Sequence, residues 1–72
     1  MTVNLYENIK ILRLANKWSQ TELASLVGYA DKSMISKIEK GVVDLPLSQI
    51  QKFAEVFHVS PVELLTDVSI TK

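Results

Sequence analysis

The sequence predicts a compact all-α domain built from five short helices, and three observations carry that expectation. Apolar residues recur at helical spacing, most clearly as Ile50, Phe53, Ala54 and Phe57 at i, i+3, i+4 and i+7. Two segments, "WSQTEL" and "VSPVEL", place a serine three residues before a glutamate, the pattern of a capping box at a helix start. No stretch alternates between apolar and polar residues for long, as a half-buried strand would. A chain of 72 residues is enough for one small domain. Its tight connections favour a compact packing of the helices over an elongated bundle. The domain is expected over residues 1–67, with 68–72 a tail or the start of a linker.

Taken in order, the first helix spans about residues 3–16, with Leu5, Ile9 and Leu12 on one stripe. Ile11 and Leu14 lie off that stripe and form a second apolar flank, available to the C-terminal tail or to another subunit. The second helix starts at the Ser19–Glu22 capping box, with Trp18 and Leu23 placed as a hydrophobic staple. It runs to Val27, where Gly28 supplies a left-handed exit. A helix of about two turns is unstable alone, so Leu23, Ala24 and Val27 must hold it to a core. The third helix begins near Asp31 as N-cap and ends at Gly41. The fourth begins between Pro46 and Ser48, where Ser48 and Gln51 can form another capping box. The fifth has Ser60 as cap, Pro61 at its first position and Glu63 three residues after the cap, with Val59 and Leu64 able to staple it.

Composition narrows the function. The sequence has no cysteine and one histidine, which excludes disulfides and thiolate metal sites and argues against a structural zinc. No Gly-rich phosphate loop or clustered acid pair appears, and His58 reads as a helix C-terminal residue rather than a catalytic one. Neither an enzyme nor a cofactor or metal site is expected. No apolar run reaches the roughly 18 residues of a membrane span, and the N-terminus lacks a signal-peptide pattern, so no membrane partner and a cytoplasmic location are expected. Net charge is zero, which taken alone counts against nucleic-acid binding. The charge is unevenly spread, however. Residues 1–41 carry six basic side chains against four acidic ones, and residues 42–72 carry two against four.

The third helix lies in the basic half. At about 100° per residue, Ile35 and Ile38 point to the core, while Ser33, Ser36, Lys37 and Lys40 fall roughly opposite. Lys32 is on a flank near the start. No acid lies on that outer face. Glu39 falls close to the core edge, where a carboxylate needs a partner, and Arg13 on the first helix is the best placed. A face of this kind is ordinarily just solvated. What precedes it changes the reading: a short capped helix, a turn containing glycine and a second short helix make a helix–turn–helix unit. In that motif the N-terminal residues of the second helix meet base edges. Lysine can bond guanine O6 and N7, and serine can serve several bases. The capped start at Ser19 and Gln20 suits a phosphate oxygen.

These segments together resemble the phage-repressor, Cro or XRE-type helix–turn–helix domains. The motifs that carry the resemblance are "IKILR" (9–13), "WSQTELA" (18–24), Gly28, "SMISKIEKG" (33–41) and "AEVFHVSPVELL" (54–65), so it covers nearly the whole chain. The resemblance implies a five-helix lambda-repressor-like fold, binding to double-stranded operator DNA and action as a homodimer, without a cofactor. Matched position by position, it implies base reading by Lys32, Ser33 and Lys37 with Ser36 as neighbour on the same face. It implies backbone contacts at Gln20 and Lys40, and a bridge between Arg13 and Glu39. Two departures stand out. The interval from Gly28 to Gly41 is one residue longer than the family's usual spacing, in "YAD", which affects the register of Lys32 and Ser33. Tyr29 in that turn either reaches a phosphate or packs its ring on the helix pair. The loop after the third helix, "VVDLPL", holds one acid and no base, so weaker affinity and a shallower salt dependence are expected.

The expected function is sequence-specific DNA binding by a transcriptional regulator, most simply a repressor, reading the major groove with residues 31–40. A phage or mobile-element repressor, an antitoxin and a restriction–modification controller are equally compatible. The rival is a protein-interaction module that keeps the fold without reading DNA, with an anti-repressor, a toxin or another protein as partner. Pro61, Val62 and Leu65 are the candidate dimer surface, with core packing the alternative for Leu65. Val68 and Ile70 in the tail extend that interface, pack on Ile11 and Leu14, or lead into a linker.

Overall fold

A computed structural model describes residues 5–65. It contains five helices: α1 (Leu5–Ala15), α2 (Gln20–Val27), α3 (Ser33–Glu39), α4 (Leu47–Phe57) and α5 (Pro61–Leu64). Among the described residues there is no strand. The expectations placed on residues 1–4 and on the tail, including Val68 and Ile70, lie outside the described residues.

The starts of α2 and α5 follow from their sequence. The Ser19 hydroxyl accepts from the Glu22 N–H at 3.0 Å, and the Glu22 carboxylate accepts from the Ser19 N–H at 2.7 Å. Ser60 and Glu63 repeat the arrangement at 3.2 and 2.7 Å. Each box satisfies amide groups that the first helical turn leaves without partners. Gly28 ends α2 in the left-handed conformation at φ 92°, with the Tyr29 N–H bonded back to the Ala24 carbonyl. Lys17 and His58 take the same left-handed backbone at φ 61° to end α1 and α4.

Other boundaries differ from expectation. The first helix stops at Ala15: the Asn16 side chain folds back onto the Leu12 carbonyl and Lys17 turns out of the helix. Helix α3 is shorter than residues 31–41. Asp31 does cap it, but from one residue outside, with Lys32 between. Helix α4 starts one residue before Ser48, and the capping box of Ser48 with Gln51 does not form. The Pro46 carbonyl already accepts from the Gln49 and Ile50 amides, which puts Ser48 inside the first turn.

The core gathers one face of every helix: Leu5 and Ile9, then Leu23, Ala24 and Val27, then Ile35 and Ile38, then Ile50, Phe53, Ala54 and Phe57, and Leu64. Leu12 is only half-buried against it. Trp18 stacks on Phe57 at 5.9 Å between ring centroids, and Phe57 on Phe53 at 6.3 Å. Helix α3 packs on α1 and α2, α4 on α1 and α2, and α5 on α4 and α1. One core residue escapes any reading by hydropathy. Asn8 is buried in α1 and donates to the Leu64 carbonyl at 2.8 Å, pinning the last helix to the first. Leu64, not Leu65, fills the core. Leu65 is 37% exposed and Val62 67%.

Candidate nucleic-acid interface

The candidate site is built around α3. Ile35 and Ile38 are fully buried, which fixes the rotation of the helix and turns Ser33, Met34 and Lys37 outward. Ser33 and Lys37 are exposed on α3 and Ser36 is half-buried beside them. Lys32 and Lys40, both exposed, flank the helix at its two caps. The three lysines are donors without acceptor capacity, suited to guanine O6 and N7 or to phosphate oxygens.

The C-terminal end of α3 is held by a buried polar cluster. Arg13 and Glu39 form an ion pair with Nε–Oε2 at 2.6 Å and Nη2–Oε1 at 3.2 Å, their side chains 10% and 5% exposed. Arg13 also donates to the Trp18 carbonyl at 2.9 Å. Gln20 joins from the head of α2, its Nε2 donating to Glu39 Oε1 at 3.0 Å. Glu39 therefore ties together three elements: α1, the start of α2 and the end of α3. The fork of the guanidinium matches the carboxylate, which is what makes such a pair tolerable out of water.

The remaining backbone-contact candidates are also engaged within the fold. Ser19 is exposed but its oxygen serves the capping box. Tyr29 is half-buried, its ring 6.4 Å from Phe53, and its hydroxyl accepts from Gln49 Nε2 at 2.7 Å. The packed orientation of the ring is thus the one observed, with the hydroxyl at its edge.

Two residues were not singled out as site residues from the sequence. Gln49 meets Tyr29 across 20 positions, and nothing local announces that pairing. Asp31 reads as a cap, but its Oδ1 accepts from both the Ser33 N–H, at 2.9 Å, and the Ser33 hydroxyl. An acid therefore does adjoin the face expected to be free of acids. The hydrogen bonds from the Ser33 hydroxyl and N–H, with a lesser contribution from Lys37, hold the Asp31 carboxyl below its ordinary 3.8. Among the described residues no group of His, Cys, Asp and Glu is placed to hold a metal ion, and no helix is long and apolar enough to cross a membrane.

A short capped helix, a left-handed glycine turn and a second helix anchored by two isoleucines with an outward basic face define a helix–turn–helix DNA-binding domain of the lambda-repressor type. Comparison with known proteins agrees. The helix-turn-helix family profile matches residues 9–64, and the chain belongs to that family, in its XRE/Cro-type branch. No curated protein matches the chain. Among solved structures, it is similar to the hypothetical transcription factor NHTF from Neisseria, at 31% identity over 93% of this chain and 76% of that one, TM-score 0.83. It is similar to the restriction-modification controller protein C.AhdI from Aeromonas hydrophila, at 34% identity over 86% and 92%, TM-score 0.77. It is also similar to SinR of Bacillus subtilis, the master regulator for biofilm formation, in complex with DNA, at 33% identity over 86% and 98%, TM-score 0.76.

Proposed function

We propose that this protein is a cytoplasmic transcriptional repressor that binds a palindromic operator as a homodimer, with α3 in the major groove. The observation that carries the reading is the pinning of α3 by Ile35 and Ile38, which leaves Ser33 and Lys37 outward between two more exposed lysines. Lys32, Ser33, Ser36 and Lys37 meet base edges. Lys40, Ser19, Gln20 and the Tyr29 hydroxyl meet phosphates. Similarity to a regulator seen in complex with DNA supports this, as does similarity to a restriction-modification controller. Exposure of Val62 and Leu65, with Pro61 half-buried, supports α5 as the dimer surface. Two half-sites about one helical turn apart then compensate for the few phosphate contacts of each neutral domain.

A second reading, a protein-interaction module directed at a toxin or an anti-repressor, draws on the zero net charge and on the internal engagement of Gln20 and Tyr29. The test is selection from duplexes with a random core, followed by affinity of the enriched duplex at several salt concentrations. The repressor reading expects one enriched sequence. It expects Lys37→Ala to lose about 1–3 kcal/mol in a sequence-dependent way, and Lys40→Ala to weaken all duplexes alike while reducing the salt slope by about 1. Equal weak binding to every duplex, unchanged by Lys37→Ala, overturns it in favour of the second. Sedimentation at micromolar concentration tests the dimer; a strict monomer even on DNA refutes the paired half-sites.

A further inference from the structure

Helix α1 has a second face that the core does not use. At about 100° per residue, Glu7, Lys10, Ile11 and Leu14 share one outer flank, at i, i+3, i+4 and i+7. All four are exposed, Ile11 at 36% and Leu14 at 54%. The flank lies between two fixed contacts. Arg13, about 100° round the helix from Leu14, reaches α3 through Glu39, and Asn8, about 60° from Ile11, holds α5 through the Leu64 carbonyl. The flank is thus turned aside from α3 and stays open when α3 enters a groove.

Its ends carry opposite charge. Glu7 lies in the first turn of α1, and Lys17 lies just past the last, where its N–H bonds to the Leu14 carbonyl at 3.0 Å. Neither side chain has an ion-pair or hydrogen-bond partner among the described residues. Along the helix axis from the midpoint of Ile11 and Leu14, Glu7 is about 8 Å toward the N-terminus and Lys17 about 7 Å toward the C-terminus. A flank laid out in this way is complementary to itself. With a second α1 antiparallel about that midpoint, Ile11 meets the partner's Leu14 and Glu7 comes level with the partner's Lys17, twice over by symmetry. A parallel pairing would instead set Glu7 against the partner's Glu7.

We propose that the outer flank of α1 is a second self-association surface, through which two operator-bound dimers on neighbouring sites pair antiparallel. The inference rests on the reading of the protein as an operator-binding dimer, whose own contact is α5. Two apolar side chains from each copy fall well short of the roughly 1,200 Å² that a stable interface buries. The pairing is therefore transient in free solution and takes effect when DNA holds two dimers side by side at high effective concentration.

The experiment uses the full chain and DNA carrying the enriched operator once or twice, with the spacing stepped through one helical turn. The ratio of second-site to single-site affinity is the readout, so any direct effect of a variant on DNA contact cancels. At one spacing the second dimer should bind about tenfold more tightly than a lone one. Leu14→Gln should bring the ratio below about twofold with single-site affinity unchanged. Glu7→Lys and Lys17→Glu should each lower it to about threefold, and the two together should restore about tenfold. That rescue is a result no misfolded variant gives. The inference is overturned if no spacing is cooperative, if Leu14→Gln leaves the ratio intact, or if the double variant does no better than the single ones. A sharp fall in Tm for Leu14→Gln without loss of cooperativity also overturns it, since the flank is then covered by the chain itself. Absence of single-site binding by the wild type overturns the repressor reading, and the inference with it.

Discussion

Replacing Glu39 should damage the fold more than replacing Glu39 and Arg13 together. Glu39→Leu leaves the Arg13 guanidinium in a site where its side chain is 10% exposed, with the Trp18 carbonyl as its remaining acceptor. The Gln20 amide loses its acceptor at the same time. Removing one partner of a buried pair costs about 3–5 kcal/mol, mostly from the charge left behind. For a chain of 72 residues, whose whole stability is on the order of 4–11 kcal/mol, that is a large share. It corresponds to a fall in Tm of roughly 12–40 °C. Arg13→Met strands the carboxylate instead and should cost about as much. The double variant strands no charge, so its loss should be smaller than either single one, at most about 2 kcal/mol. Urea denaturation of the four proteins, with thermal melts beside it, measures the coupling. Single losses below about 1 kcal/mol, or a double loss equal to their sum, would refute the idea that these two side chains act as a buried pair.

Three further outcomes follow from named contacts. Asn8→Ala removes the hydrogen bond that ties α1 to the Leu64 carbonyl and should cost about 1–3 kcal/mol, with amide exchange in α5 rising before that in α2. Gly28→Ala meets no atom within 4 Å, so its cost comes from the left-handed backbone alone, about 1–2 kcal/mol by denaturation; a loss above about 4 kcal/mol would contradict that. The Asp31 carboxyl is held below 3.8, so its contribution to stability is present above that pH and fades as pH falls through the lower folded value. Asp31→Asn should therefore flatten the acid limb of the stability profile below about pH 3.8 and leave its shape near neutrality unchanged.

Much of the architecture can be read locally. The boxes at Ser19 and Ser60 and the exit at Gly28 are contacts between residues three to five apart, and the stripe from Ile50 to Phe57 repeats once per turn. Such signals survive without knowledge of the rest of the chain. The start of α4 is set less locally: serine and proline both suit a helix entrance, and the direction of the Pro46 carbonyl decides between them. Leu64 and Leu65 are the same residue type side by side. Which of them fills the core depends on the angle at which α5 meets α1 and α4, and no residue of α5 alone encodes that angle.

By itself the sequence determined the helices, most of their inward faces and the helix–turn–helix order that makes α3 the outward element, because periodicity and capping act over one or two turns. The tertiary structure decided which polar groups remain available for a ligand. Gln20 is drawn to Glu39 across 19 positions, Tyr29 to Gln49 across 20 and Asn8 to Leu64 across 56, and polar side chains leave no periodic trace of such distant partners. Even the short-range link between Asp31 and Ser33 was settled only in three dimensions, since a capping aspartate satisfies the amide whether or not the hydroxyl turns toward it.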